Sequence, residues 1–341
     1  MTNKHHSILF ITFTVLLVCF FLLDLTSGQV SIPLKEVFKI LSGQDASKST
    51  WEYIILNFRL PKAITAILVG MGLSISGLLM QTLFRNPLAG PYVLGLSSGS
   101  SLGVAFVILG AGVLPSFLQT AVISSYGVIL ASFLGSFLVL LAILVVAQRL
   151  RNTMSILIVG LMFGSFAGAI VNVLSYFSTA EQLQKFTFWS MGNLGNLPWP
   201  SIGILGTTVT VGLVLSLVSI KSLDALLLGE NYAKSVGLNF KKARLIIIIA
   251  TSILAGSITA FAGPIAFIGL AVPHIAKLVF QTSSHKTLFF STVLIGGILM
   301  LACDIISQMP FLEMTLPINA ITSIMGAPVV IWLLIGKKNI Q

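Results

Sequence analysis

Charge is scarce in this chain. Of its 341 residues only 8% are Asp, Glu, Lys or Arg and nine are acidic, while 56% are apolar. That balance excludes an ordinary soluble domain, whose surface needs far more charge. Cysteine is nearly missing too. Cys19 and Cys303 are the whole complement, and both fall inside apolar runs, which excludes a disulfide framework and a cysteine-based metal site. Catalytic patterns are also lacking. There is no GxxxxGK[ST] phosphate loop, no HExxH, no CxxC and no GxSxG, and Gly336-Lys337-Lys338 has no loop before it. Clusters of intramembrane His, Asp and Glu that would serve an enzyme or a proton-driven carrier are absent. These absences leave a chain with no covalent chemistry and no cofactor of its own, one that moves something with energy supplied from elsewhere.

What the chain does have is ten apolar runs, at roughly 7–23, 61–83, 92–110, 121–147, 154–177, 200–220, 245–262, 265–280, 288–308 and 318–336. Each approaches the ~20 residues that cross a bilayer as a helix, with the eighth short enough for a partial span. Continuous runs rather than weak alternation exclude a β-barrel. The fold class expected is therefore all-α: a polytopic membrane protein of about ten transmembrane helices, with residues 1–341 as a single transmembrane domain.

The net charge of +10 reads as topology rather than as a nucleic-acid surface. With the N-terminus in the cytoplasm, thirteen of the nineteen basic residues fall on the inner side, among them Arg85, Arg149, Arg151, Lys241, Lys242 and Arg244. Asp224 and Glu230 are the acids beside them. The outer side holds six basic and six acidic residues. That asymmetry is the positive-inside pattern and puts both termini in the cytoplasm. The first thirty residues also have the shape of a signal peptide, with small residues at Ser27 and Gly28. Cleavage would leave nine spans and an outer start, so an uncleaved first span is the reading adopted.

The longest polar interruption in the second half is Ser222 to Arg244. Its pattern predicts two short helices, Leu223 to Leu228 and Glu230 to Val236, broken at Gly229 and closed by a left-handed Gly237. A capped knob with Tyr232 and Val236 on one side suits docking; an ordinary solvated loop is the alternative. Near the other face, Arg59 and Lys62 flank Pro61 at the mouth of the second span, either snorkelling to headgroups or offering exposed charge to a partner. Between the spans, Pro33 precedes a short helix over 35–41. Small residues crowd the second span (Gly70, Gly72, Ser74, Ser76, Gly77) and the run Ser97 to Gly103, as close helix packing requires.

The fifth run carries Gly160, Gly164, Gly168 and Asn172, four apart and so on one face. This is either a helix-packing surface or the smooth wall of a solute path, with Thr153 and Met154 narrowing its inner end. Gly263-Pro264, Gly269 and Pro273 argue against an unbroken helix through 261–278, a feature found in solute-facing parts of transporters. His274 reads as a hydrogen-bonded structural residue. Asp304 lies deep in the ninth run and needs a partner; capping or bridging helices is the main expectation, a proton relay the other.

Long stretches carry a family likeness: RLPK at 59–62, GLSISGLLMQTLFRNPLAGPYVLGLSSGSSLG at 72–103 and LLLGENYAKSVGLN at 226–239. FAGPIAFIGLAVPHIAKL at 261–278 and TLPINAITSIMGAPVVIWLL at 315–334 extend it. In these the chain resembles the FecCD-type permeases, the membrane subunits of type II ABC importers for ferric siderophores, haem and cobalamin. The likeness runs through nearly the whole chain. It implies a type II ABC importer permease fold in the bacterial inner membrane, working as a homodimer. Two ABC ATPase subunits would bind ATP and magnesium below it, and an extracytoplasmic solute-binding protein would dock above.

By the same resemblance, the segment 222–244 becomes the coupling element, with Leu228, Gly229, Glu230, Ala233 and Gly237 fitting an ATPase groove. Thr153 and Met154 become the cytoplasmic gate, and Gly160, Gly164, Gly168 and Asn172 line the translocation path. Arg59 and Lys62 become docking cations for the binding protein. Gln308 stands where some members of the family place a further arginine. A ferric siderophore is the leading cargo, with haem and cobalamin as alternatives. Two rivals stand apart from the family: an ion-coupled secondary transporter, resting on Asp304 alone, and an intramembrane enzyme, which lacks paired catalytic groups.

Overall fold

In the computed structural model, residues 3–110, 124–150, 153–195, 197–229, 235, 237–308 and 315–336 are described. Among them the elements run α1 (Asn3–Thr26), α2 (Leu34–Leu41), α3 (Ser49–Phe84), α4 (Leu96–Ile108), α5 (Ser125–Arg149), α6 (Thr153–Tyr176) and α7 (Ala180–Ser190). Then follow α8 (Trp199–Val218), α9 (Ile220–Leu227), α10 (Phe240–Ala262), α11 (Ile268–Phe280), α12 (His285–Ser307) and α13 (Ile318–Gly336). No strand occurs among the described residues. Seven helices, α1, α3, α5, α6, α8, α10 and α12, are long and apolar enough to cross a membrane, and α4, α11 and α13 are shorter apolar helices. Together these account for the ten apolar runs.

The chain packs as two compact units. One comprises residues 1–74, 193–207 and 265–341; the other comprises 75–192 and 208–264. Helices α3 and α8 each contribute to both. The degree of enclosure separates the spans into classes: 78% of the apolar window of α3 and 72% of that of α10 are buried, against 11% for α1, 17% for α6 and 22% for α5. Lipid tails are as apolar as leucine, so an exposed apolar face on α1, α5 or α6 costs nothing in a bilayer and marks contact with lipid, solute or a partner helix.

In the first unit the helices meet where side chains are smallest. A Cβ on Gly70 of α3 would collide with the Gly296 carbonyl of α12, and one on Gly296 would run into Ser74 Oγ. This close crossing fulfils the expectation raised by the small residues of the second span. Helix α2 begins immediately after Pro33, whose fixed φ suits a helix start. Glu36 ties it to the following turn by accepting from Lys39 Nζ and from the Ser47 amide, each at 2.8 Å. Those two hydrogen bonds, the Lys39 bond first, hold the Glu36 carboxyl down at about 2, below its ordinary value of 4.5.

In the second unit, α4 and α5 approach through Gly99, Gly103, Ala131 and Gly135, whose backbones leave no room for a side chain between them. Val104, Ala105 and Ile108 of α4, with Leu109 just beyond its end, form a fully enclosed cluster against Val171 and Leu174 of α6 and Phe186 of α7. Helix α7 starts from a reciprocal cap in which Thr179 and Gln182 satisfy each other's backbone amides.

The expected break in 261–278 is present, and it lies earlier than Pro273. Helix α10 stops at Ala262; Gly263 takes φ +73° and Phe267, without the freedom of glycine, takes φ +66°. The strained Phe267 is held from outside. Asn319 Oδ1 accepts the Ala266 amide at 3.0 Å, and Gly326 of α13 leaves space for the Phe267 side chain. Pro273 sits inside α11 without ending it.

Candidate functional site

Three groups of residues define the candidate site, and each is local to one unit. The first is the open face of α6. Gly160 of the expected stripe is buried against the Val93 carbonyl and Leu94, and Gly164 lies over Ser98. The half-way turn at Gly95 (φ +72°) makes this contact possible, because a side chain there would strike the Gly160 carbonyl. Beyond this point the stripe is free: a Cβ on Gly168 would meet nothing within 4 Å, and Asn172 is exposed. The four residues therefore divide into a packed half and an open half. Ile158, Met162, Phe166, Val173 and Tyr176 extend the exposed apolar surface along α6. At the other end Met154 is exposed and Thr153 half-buried, side by side in the first turn.

The second group is the turn after α9. Leu223 and Leu226 fix α9 by burial, and Leu228 then stands out, 65% exposed, beside Gly229 at φ +116°. The first short helix was expected over Leu223 to Leu228 and is found one turn earlier, from Ile220. Arg85, a residue to which the sequence assigned only a topological charge, holds this turn. Its Nε and Nη2 both donate to the Leu226 carbonyl, at 3.1 and 3.0 Å. With Nη2 also 3.4 Å from the Leu227 carbonyl, the guanidinium thereby caps the bare carbonyls at the C-terminal end of α9 with charge of the sign that a helix C-terminus favours. A signal was available in the sequence: Arg85 opens the polar turn RNP between two apolar runs. Its partner, 141 residues on, was not legible. Gly237 has φ +82°, as a left-handed cap requires. Glu230, Tyr232, Ala233, Lys234 and Val236 lie outside the described residues.

The third group corrects an expectation. Arg59 and Lys62 were read as exposed cations, and both turn inward. Arg59 is buried, its Nη1 donating to the Leu25 carbonyl at 2.8 Å and its Nη2 to the Val30 carbonyl. Lys62 Nζ pairs with Asp304 Oδ1 at 2.9 Å. Gln308 Nε2 bridges the two carboxylates, donating to Asp304 Oδ2 at 2.7 Å and to Asp24 Oδ1 at 3.0 Å. Two acids and two bases thus gather in one cluster joining α1, α3 and α12. The physical reason is the company they keep: with Asp24 and Asp304 both 1% exposed, the cations lose less by joining them than by leaving two buried carboxylates uncompensated. Gly28, at φ +127°, borders the cluster so closely that a methyl there would sit 3.1 Å from Arg59 Nη2 and Gln308 Oε1. Asp304 bridges helices, as its position suggested.

A family model for the FecCD transport family matches residues 16–336. The chain belongs to the FecCD transport family. Among curated relatives, the hemin transport system permease of Yersinia pestis is 32% identical over 326 residues, covering 95% of this chain and 94% of the relative. The vitamin B12 import system permease of Klebsiella pneumoniae is 34% identical over 327 residues, covering 96% and 93%. A solved structure, described as an inward-facing conformation of a protein assigned to the metal-chelate type of ABC transporter, superposes with a TM-score of 0.84 at 26% identity, covering 97% of this chain and 99% of its own.

Proposed function

We propose that this chain is the membrane-spanning permease subunit of an ATP-driven importer that carries an iron chelate, a ferric siderophore in the first instance, across the bacterial inner membrane. The observation that carries this reading is the match to the FecCD family from residue 16 to residue 336, with relatives that are permeases of hemin and vitamin B12 systems. The chain has no phosphate loop, so ATP and magnesium belong to a pair of partner ATPase subunits, and the chain performs no covalent step itself. Two copies would face each other across the open part of α6, where Gly168 and Asn172 offer a smooth wall to a bulky solute. Thr153 and Met154 would close its inner end. Alternating access follows if nucleotide binding moves the turn at Leu228 and Gly229, together with Glu230, Ala233 and Gly237, and through Arg85 shifts the loop that follows α3.

A binding protein docking above would have to compete with Asp304 for Lys62, because Arg59 is enclosed. The relatives named for hemin and vitamin B12 favour a second cargo reading on the same machinery, in which haem or cobalamin replaces the siderophore. The test is uptake of radiolabelled ferric siderophore, haem and cobalamin by cells with and without this chain. Loss of siderophore uptake alone is the expected result. Loss of haem or cobalamin uptake alone moves the cargo to that compound, and no change in any of the three overturns the cargo class.

A further inference from the structure

Helices α5 and α10 run side by side in the second unit, and the seam between them holds two cavities in line. The first, about 320 Å³, is lined by Gln148 at the end of α5 and by Lys241, Arg244 and Leu245 at the start of α10. The second, about 290 Å³, continues along the same two helices between Phe137, Leu141 and Leu144 on one side and Ile249 and Ile253 on the other. The first cavity has cations at its rim. The second is almost wholly apolar.

Charge along the seam has one sign. Neither α5 nor α10 contains a carboxylate, while Arg149, Lys241, Lys242 and Arg244 gather where the two helices end and begin. Arg244 is already placed: it donates to the Ala147 and Leu150 carbonyls and stacks 5.6 Å from the Phe240 ring, which stiffens the floor of the first cavity. Lys241 is exposed and forms no ion pair among the described residues. The α10 N-terminus, capped by Asn239, adds its partial positive charge at the same place.

The dimensions select the occupant. From Lys241 to Ile253 is twelve residues of helix, about 18 Å at the α-helical rise. One leaflet of the ~30 Å hydrocarbon core is about 15 Å deep. A groove of this length, cationic at one end and largely apolar beyond it apart from the hydroxyls of Ser136 and Ser252, on helices that span a bilayer, matches one acyl chain hanging below a phosphate. We propose that the α5–α10 seam is a binding site for an anionic phospholipid, with its headgroup at Lys241 and one acyl chain between Leu144 and Ile249. The lipid would brace the end of α10 that emerges from the coupling segment, a role separate from cargo and independent of which cargo is carried.

The test is lipid retention by the purified full-length chain, measured by native mass spectrometry after incubation with equal amounts of phosphatidylglycerol and phosphatidylcholine of matched chains. Wild-type protein should retain phosphatidylglycerol preferentially. Lys241→Gln, a surface change, should lower that retention about fivefold, which is the ~1 kcal/mol per cation at an anionic lipid surface converted at 1.4 kcal/mol per tenfold. Leu144→Trp, which fills the groove, should lower retention of the anionic lipid at least as much, and Lys35→Gln, outside the seam, should leave it unchanged. Equal retention of the two lipids by wild type, or wild-type retention by Lys241→Gln, overturns the proposal.

Discussion

Asp304 shows how a buried charge in this chain is made tolerable. It receives Lys62, Gln308 and the Ser307 hydroxyl, and Asp24 and Arg59 complete the cluster beside it. Removing one member of such a set costs far more than removing a matched pair, because the survivor keeps its desolvation cost without its counter-charge. Asp304→Asn is therefore expected to destabilise the purified protein by about 3 kcal/mol, read as a fall in melting temperature in detergent. Lys62→Met combined with Asp304→Leu should recover most of the loss. If the single and double variants melt alike, the ion pair is not what holds α3 to α12. The inward turn of Arg59 was not legible beforehand for a simple reason. An arginine at the end of an apolar run looks the same whether it reaches water or curls back to the carbonyls of Leu25 and Val30, 34 and 29 residues earlier.

The glycine stripe of helix α6 divides by position into a packed half and an open half. At Gly160 the Val93 carbonyl occupies the space a side chain would need, whereas Gly168 faces open space. Gly160→Leu should therefore destabilise the fold and cut the yield of monodisperse protein. Gly168→Phe should leave yield and melting temperature unchanged while abolishing uptake, if the open half is the solute path. Normal uptake by a well-expressed Gly168→Phe variant would remove α6 from the path and leave its stripe as packing alone. The four-residue spacing of the stripe revealed a shared face and nothing more. What divided it was the segment Pro91–Leu94 and the left-handed Gly95 lodged against its first half, a contact between residues some 65 positions apart that no local pattern announces. The break at Gly263 to Phe267 was the opposite case: glycine and proline wrote it into the sequence, and only its support by Asn319 and Gly326 had to be seen.

The complete chain was the most legible level, because bilayer thickness imposes a length on every span. All ten apolar runs correspond to helices, and the short eighth run is the 13-residue α11. Orientation rests on charge: thirteen basic residues assigned to one side against six on the other predict both termini in the cytoplasm. A green fluorescent protein fused after Gln341 should fluoresce and an alkaline phosphatase fused there should be inactive; the reverse would invert the topology and exchange the faces given to ATPase and binding protein. The cluster at Asp24 also sets a timetable for biogenesis. Asp24 and Gln308 are 284 residues apart, so at ribosomal speeds of ~5–20 residues per second roughly 15 to 60 s separate their synthesis. During that interval α1 is already in the membrane with an acid near its end, and Arg59 is the first base to emerge that can shield it. The first helix of this protein is therefore tied early only by Arg59, and the Gln308 bridge that completes its anchorage comes when nearly the last helix arrives.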